Sequence, residues 1–363
     1  MKVLHVLGEL KPSGAEVMLK CGAKYWSTHN VDSDILSTGT VEGNYADTLR
    51  SVGYRVIHVA RSRSPLFLVK LIHLYVKGRY DVIHVHADPM SFWVALVALL
   101  ANKKVVRTFH SQFKFEGFLR WRRKFQRRLL QLLGVEFVAI GDAVRSNEQN
   151  RFGLRTSLIL NWVDLDVFRP PTHQERLAAR AELGLSNDRF VLITVGNCSD
   201  IKNHQVLLRA LSLVHQPAAI TYLHVGMEDE AHSERSYCEQ LSLECDVQYF
   251  GPSSNVSKQL AAADLFVMPS KYEGLGNAAL EALAMGLPAI LNDVDGLREL
   301  GKYFSSVSFF NGTPDSLARE IQESMALNRS EAICGEAVRH TFSAACGIGN
   351  YVGLYIRLIG RVS

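Results

Sequence analysis

Short apolar runs alternate with amphipathic helical stretches along the whole sequence, and this alternation limits the folds open to the chain. The runs are rich in Val, Ile, Leu and Phe. Continuous apolar strands separated by helices are typical of parallel sheets covered on both faces. The predicted strands are residues 3–7, 34–36, 55–59, 82–86, 105–109, 137–140 and 157–160, then 190–195, 220–225, 247–250, 265–268, 289–291 and 307–310. The pattern predicts an α/β fold.

The length of the chain predicts two domains. At 363 residues it exceeds the size that one hydrophobic core usually supports. A proline-rich segment from Arg169 to Thr172 precedes a charged helical stretch and marks the boundary. The predicted domains are residues 1–169 and 170–349. We expect each to be a doubly wound, Rossmann-like sheet, with the ligand cleft where the carboxyl ends of the two sets of strands face each other.

The composition is that of an ordinary globular protein, with 47% apolar and 21% charged residues. The longest apolar run, residues 92–101, falls far short of the roughly 20 residues that cross a bilayer. Glu9 and Lys11 interrupt the N-terminal run too early for a signal peptide. The six cysteines show no C-x-x-C pair and no metal-site spacing with histidines, so we expect reduced thiols in the cytoplasm.

A glycine loop between two glutamates is the most informative local motif. Residues 270–281 read SKYEGLGNAALE, after a strand-like run and at the start of a helical one. A helix N-terminus that follows a glycine loop attracts phosphate, because its backbone amides and its dipole favour negative charge. Glu281 would lie about 6 to 8 Å along this helix. Two carboxylates beside a phosphate are tolerable if they bind hydroxyls, so the motif favours a nucleotide sugar as ligand.

This block resembles the E-x7-E signature of the retaining glycosyltransferases of the GT-B fold, the group 1 or family 4 class. In that family the first glutamate contacts the donor sugar and the second holds the nucleotide ribose. The resemblance assigns these roles to Glu273 and Glu281, and donor contacts to Gly274, Leu275 and Gly276. The alternative is a surface turn before a core helix, with both glutamates solvated. The glycine loop and flanking strands favour the family.

The segment Gly196–Asn203 resembles the donor-phosphate loop of the same family, in which an arginine and a lysine neutralise the diphosphate. Lys202 matches the lysine and would stabilise the leaving group as charge develops. Its alternative is an exposed lysine in a turn. Asn197 stands where arginine is typical. It supplies a hydrogen bond but no charge, so leaving-group stabilisation is weaker or comes from elsewhere.

Histidines at strand ends are the candidate groups of the first domain. His110 matches the histidine that the family sets beside the donor sugar, and a polar strand cap is its alternative. His86 is a further candidate for lining the cleft. His84 and His86 share one face of a strand, but no third ligand follows at metal spacing, so we expect no metal there.

The resemblance also extends to both ends of the first domain. Gly14 lies in a Pro-Ser-Gly-Ala-Glu segment that resembles the family's G-G-A-E loop, with serine at the first glycine. Its amide would meet donor phosphate or acceptor. In GT-B enzymes the final helix crosses back onto the N-terminal domain, which implies this course for residues 350–363.

Two Asp-x-Asp triplets have the spacing that metal-dependent transferases of the other major fold use. Asp164–Asp166 precedes the linker, where the family has an N-G-V-D-like segment and this chain has Trp162 in place of glycine. Asp293–Asp295 lies where the family commonly has glycines before a glutamate, here Glu299. Chance readily produces such triplets, and we expect neither a metal nor a cofactor.

The stretch from Lys114 to Arg128 is strongly basic, with seven Lys and Arg against one Glu, whereas the whole chain carries +4. Phe118, Trp121 and Phe125 recur within it at helical spacing. A basic amphipathic helix with aromatic residues is typical of a membrane-surface element that meets anionic lipid. An ordinary helix that buries its apolar face is the alternative. Nucleic-acid binding is not expected, because the rest of the chain is not basic.

Together these motifs predict a retaining, metal-independent hexosyltransferase. The donor is a UDP- or GDP-linked sugar, and the acceptor is a glycan or a polyprenyl-linked glycan of surface polysaccharide biosynthesis. The protein is then cytoplasmic, and peripheral on the inner face of the cytoplasmic membrane if the basic helix binds lipid. A nucleotide-sugar 2-epimerase of the same fold and a catalytically silent transferase subunit are the alternatives. Asn197 is the feature that favours the silent subunit.

Overall fold

The computed structural model describes residues 1–62, 64–86, 90–112, 114–253, 255–326 and 336–360. The chain forms two compact units, Met1–Asp164 with Thr341–Ser363, and Leu165–His340. The break after Asp164 comes shortly before the segment at Arg169 where the sequence places the boundary. The chain returns to the first unit at Thr341, earlier than the predicted residue 350.

The first unit is built on a seven-stranded sheet. Its strands are β1 (Lys2–Leu7), β2 (Asp32–Ser37), β3 (Arg55–His58), β4 (Val82–Val85), β5 (Lys104–Phe109), β6 (Glu136–Ala139) and β7 (Ser157–Leu158). All paired strands run parallel, in the order β3-β2-β1-β4-β5-β6-β7. β4 is buried at every position, and β1 and β5 at all but the first. This is the burial expected of inner strands covered on both faces.

Six helices connect these strands. They are α1 (Gly14–Thr28), α2 (Ala46–Ser51), α3 (Pro65–Lys77), α4 (Ser91–Leu100), α5 (Gly117–Leu132) and α6 (Asp142–Asn147), and a π-helical turn, Glu148–Phe152, follows α6. α3 shows how the sequence starts a helix. The Ser64 hydroxyl accepts a hydrogen bond from the Leu66 amide, and Pro65, which has no amide hydrogen, occupies the first helical position.

The second unit repeats the design with six parallel strands. They are β8 (Phe190–Val195), β9 (Ile220–Val225), β10 (Asp246–Tyr249), β11 (Leu265–Met268), β12 (Ala289–Asn292) and β13 (Val307–Phe310), in the order β10-β9-β8-β11-β12-β13. The helices are α7 (His173–Glu182), α8 (His204–Leu211), α9 (Ser233–Gln240), α10 (Ser257–Ala262), α11 (Asn277–Ala284), α12 (Asp295–Arg298), α13 (Pro314–Ala326) and α14 (Glu336–Thr341), with 3-10 turns at Pro217–Ala219 and Leu300–Lys302.

A capping box begins the second unit. The Thr172 side chain accepts a hydrogen bond from the Glu175 amide, and the Glu175 carboxylate accepts one from the Thr172 amide at 2.7 Å. This reciprocal pair satisfies two amides at the start of α7. The prolines before it cannot extend the helix backwards, so the linker ends sharply at Thr172.

The last helix, α15 (Ala344–Gly360), completes the core of the first unit by packing on α1. Two glycines permit the close approach. A Cβ on Gly22 would lie 2.9 Å from Ile348, and one on Gly347 would lie 2.1 Å from the Trp162 ring. Trp162 therefore fills a space that these glycines leave, which accounts for tryptophan where the family has glycine. Of the predicted crossing segment 350–363, residues 361–363 lie outside the described residues.

Each sheet reverses its strand order beside its first strand. β1 lies between β2 and β4, and β8 lies between β9 and β11. In doubly wound sheets, ligands bind outside the carboxyl ends of the strands at this point. The predicted α/β architecture of two Rossmann-like domains is confirmed. The candidate residues follow β1, β4 and β5 in one unit, and β8 and β11 in the other.

Candidate nucleotide-sugar site

In the second unit, the glycine loop leads from β11 directly into α11. Gly276 precedes the helix with a φ of 78°, in the left-handed region that favours glycine. A Cβ there would lie 2.6 Å from the Leu297 side chain. The first intrahelical bond of α11 runs from the Leu280 amide to the Gly276 carbonyl at 3.0 Å. The amides of the first turn therefore point out of the N-terminus, where an anion is favoured.

The structure brings Lys202 and Glu273 together from different loops. Lys202 Nζ lies 2.7 Å from Glu273 Oε1, and both side chains are partly buried. The Lys271 amide donates to the Ile201 carbonyl at 2.8 Å, which joins the two loops through the backbone. Lys202, predicted to bind the donor phosphate, and Glu273, predicted to bind the donor sugar, are therefore adjacent. Gly274 and Leu275 of the same loop are buried.

Gly296 is a residue of this site that sequence reasoning missed. A Cβ at this position would lie 2.2 Å from the Glu273 carbonyl oxygen and 3.1 Å from that of Gly274. α12 can therefore approach the glycine loop only because residue 296 has no side chain. The sequence gave little indication of this role, because Gly296 contacts Glu273, which lies in a different loop.

The Asn197 side chain makes a hydrogen bond to the protein backbone. Its side-chain Oδ1 accepts a hydrogen bond from the Met227 amide at 2.9 Å, and the Cys198 amide donates to the Met227 carbonyl at 2.9 Å. These bonds join the loop after β8 to the loop after β9. Asn197 thus shapes the loop that carries Lys202 through its amide oxygen.

Glu281 lies on the second turn of α11 and is partly buried. Burial raises the pKa of Glu281 to about 8. The cause is desolvation, which penalises the charged carboxylate. Hydroxyl groups that donate to the carboxylate would lower this pKa again, so the group suits a polyol ligand that binds with release of a proton.

In the first unit, three imidazoles form a chain: His5 lies within β1, and His86 and His110 directly follow β4 and β5. His5 Nδ1 lies 3.1 Å from His86 Nε2, and His86 Nδ1 lies 2.9 Å from His110 Nε2. A neutral imidazole has one donor and one acceptor, so all hydrogen bonds of the chain run in one direction. His5 Nε2 and His110 Nδ1, at the two ends, are buried and have no hydrogen-bond partner within the part of the chain that the structure describes.

Burial also sets the charge of these rings. Desolvation lowers the pKa of His5 to about 3 and that of His110 to about 4, and the pKa of His86 lies well below its ordinary value. The chain is therefore neutral at pH 7. His110 offers a ligand a neutral ring nitrogen, donor or acceptor according to the tautomer.

His84 completes a histidine group that the sequence indicated only in part. Nitrogens of His5, His84 and His86 lie within 4.8 Å of one another, because His5 of β1 pairs in register with His84 of β4. The third histidine therefore comes from a neighbouring strand. However, the His84 nitrogens lie 2.6 Å from the Tyr355 hydroxyl and 2.8 Å from that of Thr108. These contacts make His84 part of a hydrogen-bonded core and leave it a poor metal ligand.

Gly14 is exposed at the first position of α1. Ser13 precedes it as the N-cap, and the Ser13 hydroxyl donates a hydrogen bond to the buried Glu16 carboxyl. Burial raises the pKa of Glu16. The loop therefore presents backbone at Gly14 while its acidic side chain faces inward.

The two Asp-x-Asp triplets lie apart from the groups of potential metal ligands found among the described residues. Arg298 pairs with Asp293 and lies 3.2 Å from Asp295. Among the described residues, neither triplet belongs to a group of three or more potential ligands close enough to share an ion.

α5 turns its aromatic side outward. Phe118, Trp121 and Phe125 are 75%, 64% and 57% exposed and stack along the helix. Arg127 lies on the opposite, buried side. Its guanidinium is 3.1 Å from Glu148 and 3.8 Å from the centre of the Phe152 ring. Arg127, one of the seven basic residues counted in this stretch, is therefore part of the core and cannot face a lipid surface.

The exposed apolar surface is larger than α5 alone. α4 packs against both α3 and α5. Exposed apolar side chains of α3 are Leu66, Val69 and Val76, and those of α4 are Trp93 and Leu100. No helix within the described ranges is both long and apolar enough to span a bilayer.

Two doubly wound parallel domains, with polar groups at the switch point of each, define a GT-B protein. The crystal structure of Anabaena HepE in complex with UDP has this fold. It superposes with a TM-score of 0.83 over 98% of this chain and 100% of its own, at 20% identity. The likeness at that identity concerns the fold.

Family models identify the chain more closely. The model of glycosyl transferases group 1 matches residues 175–341, and that of Glycosyltransferase Family 4 matches residues 12–167. Together they cover most of both units, although α15 lies outside the two matched ranges. The chain belongs to the group 1, family 4 glycosyltransferases.

Two bacterial relatives resemble this chain over most of their length. The protein named glycosyltransferase EpsF of Bacillus subtilis (strain 168) is 29% identical over 307 residues, 80% of this chain and 79% of its own. An Escherichia coli protein is 24% identical over 310 residues, with coverage of 80% and 79%. It is named UDP-Gal:alpha-D-GlcNAc-diphosphoundecaprenol alpha-1,3-galactosyltransferase.

Proposed function

We propose that this glycosyltransferase moves a hexose from a UDP-hexose, or a GDP-hexose as second choice, to a polyprenyl-linked glycan, with retention of anomeric configuration. The observation that carries the proposal is the Lys202–Glu273 pair beside the glycine loop and the N-terminus of α11. One cation, one carboxylate and outward-pointing amides are the groups that a sugar diphosphate requires. No metal takes part in the transfer.

The roles follow from charge. The donor diphosphate binds Lys202 and the first amides of α11, and Glu281 accepts hydrogen bonds from the ribose. Diphosphate binding draws Lys202 away from Glu273, because a doubly charged phosphate competes for the ammonium group. The released Glu273 carboxylate then binds hydroxyls of the donor sugar. The same two residues therefore couple recognition of the diphosphate to orientation of the sugar.

Transfer proceeds by front-face attack. The bond from the anomeric carbon to the diphosphate oxygen breaks, and the acceptor hydroxyl attacks from the face that the diphosphate leaves. The departing phosphate takes the hydroxyl proton, so the reaction needs no enzyme nucleophile. Lys202 stabilises the growing negative charge. The family resemblance alone assigns neutral His110 to the donor sugar, and His86 and His5 fix the tautomer of its ring.

UDP is the favoured nucleotide because HepE was crystallised with UDP and with UDP-glucose, and the E. coli relative is named for UDP-Gal. A lipid-linked acceptor is favoured by the name of that relative and by the outward aromatic side of α5. We propose that α5 rests on the inner face of the cytoplasmic membrane during biosynthesis of a surface polysaccharide.

Incubation with UDP- and GDP-hexoses and GlcNAc-diphospholipid tests this proposal. Mass spectrometry detects transfer, and NMR of the product reports whether the anomeric configuration is retained. We expect transfer from a UDP-hexose, and its loss in Lys202→Met. A C2-epimerised nucleotide sugar without transfer would identify the epimerase, and transfer only with an added second subunit would identify the silent-subunit alternative.

A further inference from the structure

Four potential metal ligands converge beneath the loop that follows β8. Cys198 lies in that loop, His204 is the first residue of α8, His224 is on β9, and Glu234 is in the first turn of α9. Their ligand atoms all lie within 4.8 Å of one another. The two histidines and the glutamate are almost fully buried, and Cys198 is partly buried. Sulfur, two imidazole nitrogens and one carboxylate oxygen form a set that suits four-coordinate Zn²⁺.

The orientation of His224 is that of a metal ligand. Its Nε2 lies 2.9 Å from the Gly196 carbonyl oxygen and donates to it. In a neutral ring, Nδ1 then carries the lone pair. A ligating histidine usually donates its other N–H to a carbonyl or carboxylate, which fixes the tautomer that binds the metal. His224 has this arrangement before any ion is added.

The facing atoms of His224 and Glu234 are close together but poorly aligned. Nδ1 lies 3.0 Å from Glu234 Oε2, but the geometry is not that of a hydrogen bond. Neither atom has another hydrogen-bond partner among the residues that the structure describes. Buried polar atoms are nearly always satisfied. A ring nitrogen and a carboxylate oxygen that converge in this way, beside a second imidazole and a thiol, are groups that a cation would bridge.

We propose that Cys198, His204, His224 and Glu234 bind one Zn²⁺ ion in a closed tetrahedral site. On binding, the Cys198 thiol gives its proton to solvent. The hydrogen that His204 Nδ1 shares with Glu234 Oε1 at 2.7 Å leaves, and solvent supplies one at Nε2. The dication then meets one thiolate, one carboxylate and two neutral rings, so the buried site carries no net charge, which limits its desolvation cost.

The site is structural, because four protein ligands leave no open position for water or substrate. It ties the loop that carries Asn197 and Lys202 to α8, β9 and α9. For these four residues the proposal replaces the sequence-based expectation of no metal. The histidine group of the first unit differs, since the nitrogens of His84 already meet hydroxyl groups.

Metal content and cobalt substitution test the site in the full, tag-free protein. We expect inductively coupled plasma mass spectrometry to find one zinc ion per chain. After zinc removal, Co²⁺ should give a thiolate-to-cobalt charge-transfer band and the intense d–d bands of a tetrahedral site. Cys198→Ser should abolish the charge-transfer band and weaken zinc binding about a hundredfold or more. Cys238→Ser is the matched control, since Cys238 lies in α9 beside the Tyr249 hydroxyl and not among the four ligands.

Alkylation of the wild type avoids dependence on a variant that folds poorly. Zinc should protect Cys198 from iodoacetamide while leaving the labelling of Cys238 and Cys346 unchanged. Less than one bound zinc or cobalt ion per chain after reconstitution would overturn the proposal. So would a charge-transfer band that persists in Cys198→Ser. The cluster would then be a hydrogen-bonded pair of histidines around a buried carboxylate.

Discussion

Lys202 and Glu273 show, at the scale of single residues, how a donor site can be held ready without its ligand. Each neutralises the other across 2.7 Å while both are partly buried. A buried charge left without a partner is costly, so removal of either residue affects the other. The pair therefore predicts two opposite consequences for binding, according to which partner is lost.

Lys202→Met should weaken UDP binding about 10- to 100-fold, because a charge-assisted hydrogen bond contributes roughly 1.5 to 3 kcal/mol. Glu273→Gln should leave UDP affinity unchanged or tighter, because Lys202 is then free for phosphate, while turnover falls about 100-fold or more. Calorimetry and initial rates measure the two effects. Lys271→Met, at an exposed neighbour, is the control. Weaker UDP binding in Glu273→Gln would contradict the proposal that the diphosphate displaces Glu273 from Lys202.

Glu281 predicts a pH dependence of nucleotide binding. Its free-state pKa of about 8 exceeds the ordinary carboxyl value, and ribose hydroxyls favour the ionised form. Below pH 8 binding must therefore release a proton, so affinity rises with pH, about tenfold between pH 7 and 8.5, and then levels off. Glu281→Ala should weaken UDP binding about 10- to 100-fold at pH 8.

Calorimetry in buffers of different ionisation enthalpy counts the released proton. Titration of the UDP phosphate occurs in every variant, so Glu281→Gln isolates the contribution of this carboxyl. The exposed Glu323→Gln should behave as wild type. The same pH profile in wild type and Glu281→Gln would remove Glu281 from the ribose site.

At the scale of elements, α5 is unusual because its buried side carries an ion pair and its outer side carries aromatics. The alternative of an ordinary helix that buries its apolar stripe does not fit this orientation. Lys114, Arg120, Arg122, Lys124 and Arg128 are exposed around the aromatic rings. Basic residues near an anionic surface contribute on the order of 1 kcal/mol each.

We expect co-sedimentation with phosphatidylglycerol vesicles at low salt, but not with phosphatidylcholine vesicles. Arg122→Gln with Lys124→Gln should reduce binding roughly tenfold or more, and Trp121→Ser should reduce it further. Arg209→Gln with Arg319→Gln removes two exposed charges of the second unit and should change nothing. Arg127 is left unchanged in these variants, because its removal would break the buried ion pair with Glu148. Wild type that ignores anionic vesicles would favour a soluble acceptor.

The imidazole chain of His5, His86 and His110 predicts acid sensitivity. The pKa values of His5 and His110, about 3 and 4, are lower in the folded protein than the unfolded value near 6.5. The unfolded state therefore binds more protons between pH 6.5 and 4, and stability falls as pH drops through this window. We expect the melting temperature to fall by on the order of 5 °C or more between pH 7 and 5.

Thermal melts across this pH range measure the effect. His5→Gln should flatten the pH dependence, whereas the exposed His29→Gln should not. A melting temperature that stays constant down to pH 5 would mean that the rings are solvated and can be protonated in the folded protein.

At the scale of the whole molecule, local pattern predicted the architecture better than it predicted contacts. Buried parallel strands are apolar throughout, so their positions could be read directly, and the 265–268 strand and its glycine loop lie where predicted. The same reading missed His5 and Gly296, whose partners are distant along the chain. Helical periodicity located the stripe of α5 but could not tell which side faces the core, so the burial of Arg127 could not be predicted.

Turnover is expected to survive EDTA, because Lys202 and the amides of α11 can neutralise the diphosphate without a metal. Arg298 already engages both aspartates of Asp293–Asp295. Initial rates before and after brief chelation provide the measurement. Loss of activity restored by magnesium or manganese would contradict the prediction. A slow loss of stability restored by zinc alone would instead belong to the Cys198 site.

The course of α15 has a consequence for biosynthesis. Its residues supply Tyr351, Tyr355 and Ile348 to the core of a unit that begins at residue 1. Domains usually fold in the order in which the ribosome makes them. Here the second unit is continuous in sequence and can close first. The first unit cannot complete its core until α15 has left the ribosome. Its apolar interior is uncovered during that time, and we expect chaperones to shield it.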